Sequence, residues 1–284
     1  MDDLLTFLNV REMLAHFLQE DVGTGDITSK NLITTSPAAK GEIICKSRSA
    51  IVCGLEEASM LFDISGCSSQ ILVSNGSKVM NGMTVMNVFG DAHAILKAER
   101  TVLNIIMRMS GIATETRRLA DLARDVTILA TRKTAPGLRY FDKKAVVLGG
   151  GATHRMGLDN MVLIKDNHVA LACGDIEKCI RLAKKNVGSS IKVECEATNK
   201  KEALAAISAG CDIVMLDNFT PKQVQRTIKH ISKMGLRKRV KIEVSGGINK
   251  KNIRQYAMAK PDFISVGYIT HSAKAIDFSL EIMK

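Results

Sequence analysis

Ile213-Val214-Met215-Leu216-Asp217-Asn218 is a run of four apolar residues that stops on a carboxylate and an amide, and five other stretches have the same form. Residues 126–130 stop on Thr131-Arg132-Lys133, 161–164 on Lys165-Asp166-Asn167-His168, and 191–193 on Glu194-Cys195-Glu196. Residues 240–244 stop on Ser245-Gly246-Gly247, and 263–266 on Gly267. Short, largely apolar runs separated by helix-length segments suit strands covered on both faces. Between them, 114–124, 174–185, 200–208, 221–234 and 249–258 have helical spacing. Strand and helix in alternation predict a parallel α/β barrel, a fold that carries its chemistry at the C-terminal strand ends. The polar residues that close the runs are therefore the candidate site.

Residues 1–110 have a different rhythm. Apolar spacing over 10–18 suits a short helix, and Glu20-Asp21-Val22-Gly23-Thr24-Gly25-Asp26-Ile27-Thr28 reads as an acidic, glycine-punctuated loop. Strand-like segments at 41–46, 50–52, 70–73 and 83–89 are separated by turns such as Ser74-Asn75-Gly76-Ser77 and Asn81-Gly82. This predicts a small α+β domain with an antiparallel or mixed sheet. A helix follows over 92–108, with Arg100, Asn104 and Arg108 on one face. Spacing alone makes that face a solvated flank. Ser110-Gly111 interrupts the pattern and predicts a domain boundary near residue 110.

Of 284 residues, 46% are hydrophobic, enough for a substantial core. An acidic N-terminus and the lack of any apolar run of about 18 residues predict a soluble, cytoplasmic protein. The seven Cys are scattered, never spaced Cys-x-x-Cys, and read as reduced. Cys195 lies between Glu194 and Glu196; strand alternation points it away from both, and flanking anions raise a thiol, which argues against a nucleophile. The formal charge of +11 invites a nucleic-acid reading. Eleven Lys or Arg against one acid, Glu243, lie between Lys222 and Arg254, away from the run ends, and aromatics are 4% with no Trp. A solvated basic face explains this better than a stacking platform for nucleic acid.

At the run ends, the Arg132 fork suits a carboxylate and Lys133 a phosphate. Gly149-Gly150-Gly151-Ala152-Thr153-His154-Arg155-Met156-Gly157-Leu158 implies a close backbone approach beneath His154 and Arg155, without the Gly-Lys-Ser of a P-loop. Lys165 is either a further carboxylate-binding cation or a Schiff-base lysine. Glu196 and Asp217 end neighbouring strands and suit Mg²⁺ or ribose hydroxyls, with a salt bridge to Lys165 as the structural alternative. Ser245-Gly246-Gly247-Ile248 and Gly267-Tyr268-Ile269-Thr270-His271-Ser272 predict a phosphate site.

These motifs, with Glu99-Arg100-Thr101-Val102-Leu103-Asn104 and Ser110-Gly111-Ile112-Ala113-Thr114, resemble those of the quinolinate phosphoribosyltransferase family over nearly the whole chain. The resemblance implies an N-terminal α/β sandwich over 1–110 and an incomplete, roughly six-stranded parallel α/β barrel over 111–272, with a C-terminal helix, residues 273–284, packing back on the first domain. It implies transfer of phosphoribosyl from phosphoribosyl pyrophosphate to quinolinate with decarboxylation, and Mg²⁺ as cofactor. It also implies a homodimer, open to further assembly, in which one subunit's Arg100 enters the partner's site. By the same resemblance, Arg100, Arg132, His154, Arg155 and Lys165 hold the pyridine dicarboxylate. Lys133, Glu196, Asp217, Ser245, Gly246, Gly247, Gly267 and His271 serve the phosphoribosyl donor, with Lys133, Lys165, Glu196 and Asp217 closest to the chemistry and Glu196 and Asp217 at the metal. Asn160 stands where the family usually has an acid, which predicts a changed supporting hydrogen bond. Alternatives are a relative using another acid such as nicotinate, a Schiff-base lyase built on Lys165 or Lys133, and an RNA-binding protein using the basic stretch. The five anion-binding groups together favour the dicarboxylate.

Overall fold

The computed structural model describes residues 2–35, 37–172 and 174–283, so Cys173 lies outside the described residues. The chain divides into one unit of Met1–Thr114 with Ala273–Lys284 and a second of Glu115–Ser272.

In the first unit, α1 (Asp2–Val22) extends well beyond the short helix expected, with Val10, Leu14 and Leu18 buried at every fourth position. At the end of the expected acidic loop begins a short helix, α2 (Ile27–Leu32), started by the Asp26 carboxylate accepting the Ser29 N–H at 3.0 Å. There follow β1 (Ala38–Cys45), β2 (Ser49–Ile51), α3 (Leu55–Ile64), β3 (Ser68–Ile71), β4 (Lys78–Met80), β5 (Thr84–Asp91) and α4 (Ala92–Ala123). β1, β5, β3 and the last strand of the chain form one antiparallel sheet, while β2 and β4 pair separately.

Two expectations are corrected here. The C-terminal segment is a strand, Phe278–Met283, and not a helix. Phe278, Leu280 and Ile282 alternate with period two, and the open edge of β1 accepts them in a register from Lys40↔Met283 to Cys45↔Phe278. Nor does the helix break at Ser110-Gly111, because α4 runs through without interruption. Gly111 is needed there because a Cβ would overlap the Lys274 carbonyl oxygen, and beside it Ile276 N–H donates to Met107 O at 3.0 Å. The glycine marks a close chain passage. Ser110 Oγ accepts the Cys53 N–H at 2.9 Å.

The second unit contains β6 (Thr127–Leu129), α5 (Arg139–Leu148), β7 (Val162–Ile164), α6 (Asp166–Ala172), α7 (Ile176–Asn186), β8 (Val193–Ala197), α8 (Lys200–Ser208), β9 (Ile213–Asp217), α9 (Pro221–Lys233), β10 (Lys241–Ser245), α10 (Ile253–Ala257), β11 (Phe263–Ser265) and α11 (Tyr268–His271). The C-terminal strand is then β12. All six strands are parallel, in the order β6-β11-β10-β9-β8-β7. β6 and β7 are the two edges, so the barrel is incomplete as expected. Ala152 extends the β6 edge by one parallel bridge to Leu129. The triple glycine permits this, because a Cβ at Gly151 would lie 2.8 Å from Val146 Cγ1 and 2.9 Å from the Ile128 carbonyl. No described helix is long and apolar enough to cross a membrane.

Two carboxylates order the N-terminal strand ends. Asp212 accepts the Val193 N–H at 2.7 Å and pairs with Lys184 at 2.5 Å; Asp262 accepts the Ile242 N–H at 2.9 Å and pairs with Arg237 at 2.8 Å and Lys241 at 2.9 Å. Burial opposes both charges, but these donors outweigh it and hold both carboxyls below their usual values. A carboxyl lowered by folding contributes stability above its unfolded pKa of about 4 and loses it as pH falls through the folded value. Asp262→Asn is therefore expected to cost about 1–2 kcal/mol at pH 7. Urea unfolding of both proteins at pH 7 and pH 3 checks this, and the gap should shrink at the lower pH. At the same end, Lys192, Arg237, Lys238, Arg239 and Lys241 line a basic depression, which places part of the basic stretch away from the C-terminal strand ends.

Candidate active site at the strand ends

A cavity of about 860 Å³ opens at the C-terminal ends of the six strands. Its lining follows strand periodicity: Leu163 and Lys165, Met215 and Asp217, Glu243 and Ser245, and Ser265 and Gly267 are i, i+2 pairs of β7, β9, β10 and β11 with the residues just past their ends. Alternate residues of a strand face one side, so the apolar or buried member forms the floor and the polar member the rim. Thr131, Arg132 and Lys133 come from the end of β6, Glu196 from β8, and His154 and Arg155 from the segment after the triple glycine. His271 and Asn249 complete the rim.

Twelve of the thirteen residues expected at the site thus surround one cavity: Arg132, Lys133, His154, Arg155, Lys165, Glu196, Asp217, Ser245, Gly246, Gly247, Gly267 and His271. The thirteenth, Arg100, is exposed on α4 in the first unit, with Asn104 exposed on the same face. Lys165 pairs with Glu196, the structural alternative for that carboxylate. Asp217 accepts from Asn218 Nδ2 at 2.6 Å. Gly246 has φ of +101°, and a Cβ there would strike the Asn218 amide, so backbone alone lines this turn. Thr270 Oγ1 donates to the Lys133 carbonyl at 2.9 Å, tying the β6 end to α11.

Beneath the rim lies a cluster that the sequence reading did not assemble. His154 Nε2 is 3.1 Å from Glu194 Oε2 and 3.4 Å from Glu243 Oε2, and both carboxylates are fully buried. Ser265 Oγ donates to the other Glu243 oxygen. Burial pushes the Glu194 carboxyl up, and the Glu243 charge adds to it; His154 is also raised, because its bonds to the two carboxylates outweigh the effect of burial. These three side chains place potential metal-ligand atoms within 4.8 Å of one another. The Arg155 N–H donates to His154 Nδ1 at 2.6 Å, so that Nε2 is the ring nitrogen facing the two acids. Glu194 Oε1 is buried without a hydrogen-bond partner, so the two acids carry more acceptor capacity than the single imidazole fills.

Arg155 is 8% exposed; burial and the Arg132 charge lower its pKa, while Glu194 and Glu196 act the other way. Arg132 Nε is buried without a hydrogen-bond partner. Cys195 is buried and pushed up to about 12 by burial, with Cys179 and Glu196 adding to it, which keeps the thiol protonated at neutral pH. Asn160 Oδ1 accepts the Met156 and Gly157 N–H groups at 2.6 and 2.9 Å. Only its acceptor is used in these two bonds, a role a carboxylate also fills, so the departure at this position leaves the turn intact.

The chain matches the model for the quinolinate phosphoribosyl transferase N-terminal domain over residues 26–110 and that for the C-terminal domain over residues 112–281. It belongs to the quinolinate phosphoribosyltransferase family. Among its relatives, a probable carboxylating nicotinate-nucleotide pyrophosphorylase of Methanothermobacter thermautotrophicus is 41% identical over 275 residues, covering 95% of this chain and 98% of that one. The carboxylating nicotinate-nucleotide pyrophosphorylase of Rattus norvegicus is 36% identical over 270 residues, covering 94% and 88%. The solved nicotinate-nucleotide pyrophosphorylase of Francisella tularensis superposes with a TM-score of 0.90 at 38% identity, covering 96% of each chain.

Proposed function

We propose that this chain transfers phosphoribosyl from phosphoribosyl pyrophosphate to the ring nitrogen of quinolinate, releasing pyrophosphate and CO₂ and leaving nicotinate mononucleotide. The observation that carries this reading is the convergence of Arg132, Lys133, Arg155 and Lys165 on one cavity, with a buried Arg132 donor lacking a partner. Bringing a dianionic pyridine against a polyanionic sugar phosphate requires such a concentration of positive charge. Arg132, His154, Arg155 and Lys165 hold the two carboxylates. Lys133, the Ser245-Gly246-Gly247 turn, Gly267 and His271 hold the donor.

Glu196 and Asp217 fit Mg²⁺: hard carboxylate oxygens at the ends of adjacent strands, with room beside them for the waters this ion keeps. Bound there, Mg²⁺ supplies charge neutralisation to the departing pyrophosphate. The ring nitrogen donates its lone pair to the anomeric carbon as the bond to pyrophosphate oxygen breaks, and the same two carboxylates stabilise positive charge on the ribose. Ribosylation makes the ring nitrogen cationic. The electron pair of the bond to the adjacent carboxylate then stays on the ring carbon beside the cationic nitrogen as CO₂ leaves, and a proton adds to that carbon. No covalent enzyme nucleophile is involved.

The active form is a homodimer in which Arg100 of one protomer reaches the other's cavity. Support comes from the exposure of Arg100 and Asn104 and from Ile27 and Leu32 of α2, large apolar side chains 76% and 77% exposed. The cytoplasm is the proposed compartment. Pyrophosphate release with quinolinate, the donor and Mg²⁺ tests the reading; equal turnover of nicotinate rejects the dicarboxylate. EDTA is expected to abolish release, and Glu196→Gln to lower kcat by about 10²–10³.

A further inference from the structure

Lys143 of α5 is fully buried, one of the largest side chains with no exposed surface. Its Nζ donates to the carbonyl oxygens of Thr153 and Arg155, both at 2.5 Å. These two carbonyls flank His154, a non-glycine residue at φ +51°, in the left-handed region. A backbone held there needs surrounding structure to over-determine it, and the two bonds from Lys143 do so by gripping the chain on either side. The consequence is directional. With Thr153 and Arg155 pinned, the His154 ring turns onto Glu194 and Glu243, and Arg155 follows into the cavity wall.

We propose that Lys143 is a positioning residue for the acceptor subsite: by strapping the backbone on both sides of His154 it aims His154 and Arg155, and so sets affinity for a dicarboxylate without touching it. This rests on the acceptor reading above.

The charge of Lys143 also bears on the subsite. Burial lowers its pKa to about 8, and the neighbouring charges that push the same way are Arg139, Arg132 and Arg155. A buried ammonium among cations, held by carbonyls, adds positive potential under the cavity without presenting a donor to solvent.

Wild-type turnover of quinolinate is measured first, and calorimetry then gives the affinities of quinolinate and of phosphoribosyl pyrophosphate with Mg²⁺. Lys143→Met retains most of the stem and removes both donors. It is expected to weaken quinolinate binding by about tenfold or more, with donor affinity within about threefold of wild type. Discrimination between quinolinate and nicotinate should narrow in parallel, which a general loss of stability would not produce. If the Met variant does not fold, Lys143→Gln, which keeps a neutral amide donor, undergoes the same comparison. Quinolinate affinity unchanged in a folded variant, or equal weakening of both ligands, overturns the proposal. Because binding is read separately from turnover, an inactive wild type that still binds quinolinate rejects the proposed reaction and leaves the role of Lys143 decided by calorimetry.

Discussion

Replacing Arg155 with Ala is expected to lower kcat/KM for quinolinate by about two to three orders of magnitude while leaving KM for the phosphoribosyl donor nearly unchanged. The size follows from burial. Arg155 is 8% exposed, close enough to Arg132 to feel its charge, and backed by Glu194 and Glu196. Removing it leaves a substrate carboxylate without its buried fork against a low-dielectric wall, with Arg132, His154 and Lys165 fixed in other positions, so the loss is that of a desolvated charge pair and not of a surface contact. Arg155→Lys should recover little, since a point charge cannot reproduce the planar fork. Steady-state kinetics with each substrate varied separately checks this. Loss confined to the donor KM would move Arg155 to the other subsite.

Arg100→Ala is expected to inactivate by a comparable factor although its residue lies in the other unit, and the defect should be cured by mixing. When Arg100→Ala and Arg155→Ala proteins are unfolded together and refolded as random dimers, half the dimers are hybrids. Each hybrid has one site with an intact barrel and an intact Arg100 from its partner, so about a quarter of wild-type activity should return. Two inactive proteins recovering activity is difficult to obtain unless the site is shared. If mixing restores nothing while Arg100→Ala alone is inactive, Arg100 acts within its own chain. If Arg100→Ala is fully active, the shared-site reading fails.

The barrel was legible because buried parallel strands leave an unambiguous signal: apolar runs closed by polar residues that all have to face one end. The residue closing each run proved more informative than the run itself. Lys143 left no such trace, because nothing local distinguishes a lysine that straps two carbonyls from one that is solvated. Glu243 did leave one, an acid inside the strand run 240–244, but it was weighed only as the single acid of the basic stretch and not as a partner for His154. Residues 273–284 were read as a helix since an edge strand's identity depends on the strand it joins, here β1, more than 230 residues away in sequence. Gly111 was taken for a helix stop because a glycine demanded by a close chain passage looks the same in one dimension as one demanded by a turn.

The most direct measurement of the central claim uses quinolinate labelled in the carboxylate next to the ring nitrogen, incubated with phosphoribosyl pyrophosphate, Mg²⁺ and the protein. One labelled CO₂ for each pyrophosphate released, with nicotinate mononucleotide as product, is the expected result. Pyrophosphate released without labelled CO₂, or no release at all under these conditions, would contradict it.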